Sequence, residues 1–221
     1  AYDRSGAGNN GTLTNGPVAN GGIVGQALSF DGTDDYVVGT VTATADIFTY
    51  SAWINPSTNS GTIIGTTSNG IQWRLSSGKL NLVAAGTSEI GSSIEAVPTN
   101  TWTYVSITND ASGNYTFYIN GHDAGGSGTN AYNYDNHRPA IGSRYHDAAS
   151  ELFTGAIDEV RIYNRVLTSS EIKSLYDIAK PDATNSASSQ AQGTGRLDSG
   201  LSGYWKLDET TGSSASDAST N

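Results

Sequence analysis

Apolar and polar residues alternate with a period of two through most of the chain, the spacing that turns one face of a strand toward a core. Gln26-Ala-Leu-Ser-Phe30 and Asp35-Tyr-Val-Val38 flank Asp31-Gly32. That dipeptide between apolar runs predicts a hairpin, because the favoured turn needs positive φ at both central positions. Phe48-Thr-Tyr-Ser-Ala-Trp-Ile54 predicts a half-buried strand closed by Asn55-Pro56. A second hairpin is expected where Ile71–Leu75 and Lys79–Val83 flank Ser76-Ser-Gly78, with Trp73 on the apolar face it shares with Ile71 and Leu75. Trp102–Ile107 and Tyr115–Ile119 form a third, and Asn120-Gly121 turns the chain again. In Gly155-Ala-Ile-Asp-Glu-Val-Arg-Ile-Tyr163 the placing of Ile157, Val160 and Ile162 implies one buried face with a local irregularity.

A single segment has helical spacing. Thr168-Ser-Ser-Glu171 is a capping-box pattern, with Leu167 before the cap placed to staple against Ile172, and Leu175 and Tyr176 extend the apolar stripe. The helix is expected from about Ser169 to about Ile178, stopped by Lys180-Pro181. Asp182–Gly200 holds Leu197 as its only large apolar residue and reads as a flexible linker. Past it, Leu201-Ser-Gly-Tyr-Trp-Lys-Leu207 looks like the opening strand of a domain, although it stands near the end. The pattern divides the chain into a globular unit over residues 1–179, a linker over 180–200 and a displaced strand over 201–221.

Composition narrows the class. With 27 Gly, 5 Pro and 14% charged residues, the chain suits short strands and many tight turns, so an all-β sandwich is expected. A formal charge of −10 repels phosphate backbones and anionic headgroups, which argues against nucleic acid and membrane partners and favours divalent cations. No run is long and apolar enough to predict a membrane span. Without Cys there is no disulfide or thiolate chemistry, and without Met the expectation is an excised or mature piece of a longer product. Low charge, abundant Ser, Thr and Asn and absent Cys fit an extracellular, cell-surface protein.

Ala215-Ser-Asp217-Ala-Ser219 repeats the frame of Ala1-Tyr-Asp3-Arg-Ser5, as if the chain had gone once round a repeat of about 214 residues, counted from Ala1 to Ala215. Placing Gly203–Asp217 ahead of Asp3–Leu13, and reading on through Val24–Val37, Phe48–Pro56, Trp102–Asp110, Tyr115–His122 and Phe153–Asp177, gives an ordered series of motifs. That series resembles the laminin-G-like domain. The resemblance implies a concanavalin A-like antiparallel β-sandwich jelly roll with one short C-terminal helix, and it covers residues 1 to about 178 and 201 to 217. The departure is order: the tryptophan strand normally opens such a domain. In the family the first and last strands are neighbours, so residues 1–178 alone would leave a gap beside Ala156–Tyr163, and Tyr204, Trp205 and Leu207 are the natural filler. The strand could come from the chain's own tail, a neighbouring chain or a preceding repeat. A linker of about 20 residues reaches roughly 25 Å and gives a millimolar-scale effective concentration, which favours self-closure. Where geometry forbids closure, donation through residues 201–214 would build a head-to-tail filament.

The resemblance further implies a structural Ca²⁺ joining the Asp3–Gly11 loop to the last strand, carried here by Asp3, Asn10 and Asp158; the alternative is that Asp3 and Asn10 only close the turn. Asp31-Gly-Thr-Asp-Asp35 resembles a calcium loop in composition and is explained by its turn. Tyr132, Tyr134, Tyr145 and His146 lie in loops able to stack on and hydrogen-bond to sugars, or to tuck over the sandwich rim. Catalysis is not expected. The paired carboxylates of a glycosidase need an i, i+2 arrangement on one strand, whereas Asp158 and Glu159 are adjacent, and no nucleophile or phosphate-loop motif occurs. The expected function is a noncatalytic extracellular adhesion or carbohydrate-binding module of a repetitive surface protein, with a glycan or cell-surface ligand as partner; the alternative is a self-assembling filament subunit.

Overall fold

A computed structural model of the chain describes residues 1–40, 46–66, 70–84, 88–129, 138–180 and 197–208. In chain order its strands are β1 (Thr12–Thr14), β2 (Val18–Gly21), β3 (Gln26–Asp31), β4 (Tyr36–Val38), β5 (Phe48–Pro56), β6 (Gly61–Gly65), β7 (Ile71–Ser76), β8 (Lys79–Ala84), β9 (Ser88–Ala96), β10 (Thr103–Asn109), β11 (Asn114–Ile119), β12 (His122–Asp123), β13 (Gly128–Thr129), β14 (Ala140–Ile141), β15 (Thr154–Tyr163) and β16 (Leu201–Trp205). The helix α1 spans Ser169–Ala179. Two antiparallel sheets face each other. The first runs β1-β4-β14-β6-β7-β8-β9; the second runs β12-β11-β10-β5-β15-β3-β2, with β13 on β11 and β16 on β15.

Alternation explains the core. On β7, Ile71, Trp73 and Leu75 point inward and meet Leu80 and Leu82 of β8; on β5, Tyr50, Ala52 and Ile54 do the same from the opposite sheet. Each such aliphatic side chain taken fully out of water contributes about 1.5–3 kcal/mol. The β7–β8 hairpin turns at Ser77 and Gly78, both at positive φ (52° and 77°). Trp73 is wholly buried, in the core role its alternation implied.

The expected hairpin at Asp31-Gly32 does not form. β3 pairs with β2 and β15 in the second sheet, while β4 pairs with β1 and β14 in the first, so residues 31–35 cross between sheets. The bend is closed by side chains: Asp31 N–H donates to Asp35 Oδ2 (3.1 Å) and Thr33 N–H to Asp31 Oδ1 (2.7 Å). A turn motif encodes a reversal of direction and says nothing about which sheet receives the next strand.

The capping box at α1 forms as read, with Glu171 N–H donating to Thr168 Oγ1 (3.2 Å) and Thr168 N–H to Glu171 Oε2 (2.8 Å). The helix lays Ile172, Leu175 and Ala179 over Trp53, Tyr104, Tyr163 and Leu167, on the outer side of the second sheet. The irregularity expected in the last strand of the run is a bulge. Glu159 takes φ 54°, and the β15–β5 register shifts between Asp158 and Arg161.

That bulge divides one edge of β15. Residues 154–157 pair with β3, and residues 160–163 pair with β16, Val160 opposite Trp205 and Arg161 opposite Tyr204. Part of the expected linker is also docked: Leu197 packs on the helix cluster, Arg165 Nε donates to Ser199 O (2.6 Å) and Asn164 N–H to Gly200 O (2.8 Å).

Candidate functional site

The strand alternation that places Ile71, Trp73 and Leu75 in the core turns Gln72 and Arg74 to the other face of the first sheet, where Gln72 is still buried and Arg74 is partly exposed. Arg74 stands opposite Asn81 of β8, and Asn81 opposite Ser92 of β9. These side chains are linked. Arg74 Nε donates to Asn81 Oδ1 (2.9 Å), Asn81 Nδ2 to Ser92 Oγ (3.0 Å), and Ser92 Oγ to Glu89 Oε1 (3.0 Å). Along β6, Thr62 Oγ1 accepts from Gln72 Nε2 (2.6 Å).

Glu151 ties this ladder to the loop that follows β14. Its Oε2 accepts from Gln72 Nε2 (2.9 Å) and Arg74 Nη1 (2.7 Å), and its Oε1 accepts from Arg144. Burial pushes the Glu151 carboxyl up, but the hydrogen bonds from Gln72, Arg144 and Arg74 and the Arg144 charge outweigh it and hold the group below its ordinary value. Its backbone is in the left-handed region (φ 46°), an unfavourable place for a side chain, held because Thr62 N–H and Oγ1 both donate to Glu151 O (2.9 and 2.6 Å). Gln72 Oε1 is buried with no hydrogen-bond partner among the described residues.

Tyr145 and His146 sit at the rim of this face. Tyr145 bridges to Thr66 just past β6, the Arg144 guanidinium lies 5.0 Å from the Tyr145 ring centroid, and His146 Nδ1 is 2.9 Å from Thr66 O. Two of the four expected ligand-binding residues are thus beside one polar sheet face. Tyr132 and Tyr134 lie outside the described residues. Sequence reasoning missed the ladder itself, Gln72, Arg74, Asn81 and Glu151; the outward phase of β7 and β8 was the available signal.

The expected metal set divides between two places. The Asp3 carboxylate accepts four donors, Ser5 N–H (2.9 Å), Ser5 Oγ (2.7 Å), Asn9 N–H (2.8 Å) and Tyr204 N–H (2.8 Å), while Asn10 Oδ1 accepts from Asp3 N–H (3.0 Å). The bonds from Ser5, Asn9 and Asp3 N–H close the turn, and the one from Tyr204 ties it to the tail strand. Asp158, fully buried beside the bulge, faces the loop between β2 and β3 instead: its Oδ2 accepts from Ile23 and Val24 N–H (2.8 and 3.2 Å). Among the described residues its Oδ1 has no hydrogen-bond partner, and neither does Gln26 Oε1. Burial is the main cause that raises the Asp158 carboxyl to about 7, helped by the Glu159 charge. A Cβ on Gly22 would lie 2.6 Å from both Asp158 Oδ2 and Gln26 O, so the cradle there admits only glycine. A buried carboxylate oxygen without a partner is of the ligand type a hard cation takes.

The tail strand is fixed on both sides. Arg4 N–H donates to Tyr204 O (2.6 Å), Trp205 Nε1 to Asn9 O (2.9 Å), and Asn9 Nδ2 to Ser202 O (2.8 Å). Tyr204 Oη donates to Glu159 Oε2 (2.6 Å), and the Arg161 guanidinium lies 4.0 Å from the Tyr204 ring centroid. Trp205 and Leu207 are fully buried in the core between the sheets.

Two facing antiparallel sheets, a bulged last strand, a capped helix on the back and a polar outer face on the first sheet define a lectin-like jelly roll. The chain belongs to the concanavalin A-like lectin/glucanases superfamily, whose laminin G type 3 family model matches residues 30–173. Solved structures share the fold. Domain 4 of AbnA, a GH43 extracellular arabinanase from Geobacillus stearothermophilus solved with arabinotriose, is 24% identical with a TM-score of 0.62, over 75% of this chain and 87% of that one. The binding domain of Paraclostridial Mosquitocidal Protein 1 is 19% identical with a TM-score of 0.64, over 80% of this chain; the match spans about half, 49%, of that longer chain. A heptameric SAP-like pentraxin from Limulus polyphemus is 19% identical with a TM-score of 0.59, over 72% and 85%. No curated protein sequence matches the chain. Among the described residues, no helix is long and apolar enough to cross a membrane.

Proposed function

We propose that the chain is a noncatalytic carbohydrate-binding module of an extracellular, repetitive surface protein, and that it binds sugar on the outer face of its first sheet. The observation that carries this reading is Arg74, partly exposed, fixed by Glu151 and the buried Asn81 and flanked by Tyr145 and His146. A guanidinium group fixed in advance can meet a pair of sugar hydroxyls with little loss of side-chain freedom, and a tyrosine at the rim offers a ring to stack on. The arabinotriose bound to the arabinanase domain supports the ligand class. Glu151 is spoken for by two arginines and an amide, which suits positioning and not proton transfer.

Titration calorimetry with arabinotriose and a panel of neutral oligosaccharides tests the reading. Arg74→Ala and Tyr145→Ala are each expected to weaken binding about tenfold or more, as loss of one charged hydrogen bond implies. Binding by the parent chain that survives both substitutions unchanged would move the site elsewhere.

A structural Ca²⁺ belongs to the same proposal, relocated: Asp158 would hold it with oxygen atoms of the Gly22–Gln26 loop, and Asp3 and Asn10 would serve the turn and its tie to the tail strand. Bound there, the ion would neutralise a buried carboxylate and fix the loop against β15.

A second reading, a filament built by donating β16 to the next subunit, is favoured by the depth at which Trp205 and Leu207 are buried, since the slot would accept the same strand from any copy. Light scattering over a concentration series, beside a chain cut after Lys180, decides it: tail-dependent growth supports donation, and a tail-dependent monomer at all concentrations refutes it.

A further inference from the structure

The body grips the tail strand one side chain at a time. The register of β16 on β15 shifts between Ile162 and Tyr163, so the strand presents residues to both faces of the second sheet. Leu201, opposite Tyr163, packs on the helix cluster outside the sheet, whereas Trp205 and Leu207 enter the core inside it. Main-chain bonds hold it from two sides. One is β15; the other is the Asp3–Arg4 segment, where Asp3 bridges to Trp205, Arg4 N–H donates to Tyr204 O (2.6 Å) and Tyr204 N–H donates to Asp3 Oδ1 (2.8 Å).

Each position on the strand has its own demand. The Trp205 indole folds back along its own strand, and a Cβ on Gly203 would lie 2.4 Å from the ring, so that position favours glycine. On the body, Gly11 and Gly39 leave room for the same ring, a Cβ on them coming within 3.4 and 3.1 Å of it, and Asn9 O accepts from the indole N–H (2.9 Å). The space suits one flat bicyclic donor. Tyr204 lies with its ring 4.0 Å from the Arg161 guanidinium, and its hydroxyl donates to Glu159 Oε2 (2.6 Å). Glu159 Oε1 is buried with no hydrogen-bond partner among the described residues, so phenylalanine in place of Tyr204 would leave the carboxylate to Arg161 alone. A slip of one residue would send the tyrosine into the core and the tryptophan onto Arg161, so the side chains fix the register.

We propose that the β15 edge at residues 160–163 and the indole pocket beside it form a peptide-binding site selective for a Leu-x-Gly-Tyr-Trp-x-Leu strand, and that its partner is this strand from a second copy of the chain. The inference rests on the strand-donation reading above and specifies what the slot selects. Main-chain pairing is open to any extended segment; selection lies in the indole pocket and the tyrosine hydroxyl, since a site built to receive a hydroxyl rejects the analogue that lacks it. The chain's own tail, tethered at a millimolar-scale effective concentration, fills the slot first. A strand in trans therefore enters where the resident one is weakened.

The test uses the whole chain carrying Trp205→Ala as host and a synthetic peptide of residues 199–208, with 5-fluorotryptophan in place of its tryptophan, as the second copy's strand. At millimolar peptide the urea midpoint of the host is expected to rise toward that of the parent chain, and the fluorine resonance to move to one buried position. The same peptide carrying Trp205→Ala is expected to bind at least a hundredfold more weakly, and carrying Tyr204→Phe or Gly203→Ala at least tenfold more weakly. Where the host is unfolded by itself, recovery of its far-ultraviolet circular dichroism on adding peptide is the same supporting result, and a Gly203→Ala chain, which keeps the indole, serves as a second host. No rise in either host at millimolar peptide would overturn the site. An equal rise from the peptide carrying Trp205→Ala would overturn the selectivity and leave main-chain pairing alone. The filament fails separately: a parent chain that stays monomeric at every concentration refutes it, while capture of the peptide by the weakened host still supports the slot.

Discussion

Replacing Trp205 by alanine separates a strand that belongs to the core from one that merely rests on it. The indole is fully buried, its Nε1–H donates to Asn9 O at 2.9 Å, and its ring lies against positions where side chains are missing: a Cβ on Gly203 would come within 2.4 Å of it and one on Gly39 within 3.1 Å. A buried tryptophan removes about 150–250 Å² from water, worth about 4–6 kcal/mol at ~25 cal/mol per Å². Alanine retains part of that burial, while the cavity and the orphaned Asn9 carbonyl add about 1 kcal/mol. The expected loss is about 4 kcal/mol. Urea unfolding followed by far-ultraviolet circular dichroism measures it without relying on the other tryptophans. With a slope of roughly 3 kcal/mol per molar for a chain of this size, the midpoint should fall by more than 1 M. A loss below about 1 kcal/mol at unchanged slope would mean that the tail strand is not a resident of the core, and the edge-pairing argument for β15 would fall with it.

Other expectations follow from single contacts. Gly203→Ala, whose Cβ would overlap the Trp205 ring, should cost about 1–3 kcal/mol in the same urea assay, and a neutral result would contradict the packing. Glu171 is held down to about 2, first by the hydrogen bonds from Arg165 and then by the cap of Thr168, against burial that pushes it up. A depressed carboxylate stabilises the fold above its unfolded value near 4.5 and loses that contribution as pH falls toward 2, so the parent chain should lose about 2–3 kcal/mol relative to Glu171→Gln across this window. Parallel pH-stability curves for the two proteins would refute it. Arg144→Ala should loosen one oxygen of the Glu151 carboxylate and weaken sugar binding without lowering stability by more than about 1 kcal/mol, because the Glu151 carbonyl stays bonded to Thr62 and its other oxygen to Gln72 and Arg74. Unfolding of that variant at ambient temperature would assign the pair to stability.

The sequence disclosed local periods and caps and was silent on partners across the fold. The β7–β8 hairpin, the β10–β11 pair and the capped helix each rest on residues within a few positions of one another, and all are in place. What failed at Asp31-Gly32 was an inference from a local bend to a non-local pairing, since β3 and β4 enter different sheets. Glu151 gave no warning because its partners, Arg74 and Gln72, are 77 and 79 positions away and its own stretch is an irregular loop. Asp208 was in plain view within the tail motif, but its relation to Gln26, 182 positions earlier, exists only once β16 lies against β15. The extent of the linker was overestimated because Leu197 was weighed as a single apolar residue, when one contact on the helix cluster suffices to dock a turn that Arg165 and Asn164 also hold.

The bulge at Glu159 explains why so much converges on the tail. A ten-residue strand with one neighbour along its whole second edge would need no help, but left-handed Glu159 re-aims β15, so β3 serves only residues 154–157. The edge at 160–163 is then satisfied by β16 or by nothing, and an unpaired core strand costs both its ladder bonds and the Trp205 and Leu207 contacts. The same bulge sends the adjacent side chains to different duties. Asp158 is directed to the Gly22–Gln26 loop and Glu159 to Arg161 and Tyr204, so one backbone irregularity sets both the packing of that loop and the docking face of the tail. Tail pairing and loop packing therefore meet at two consecutive residues. A substitution that straightens this bulge should disturb them together, whereas sugar binding on the opposite sheet should be left alone.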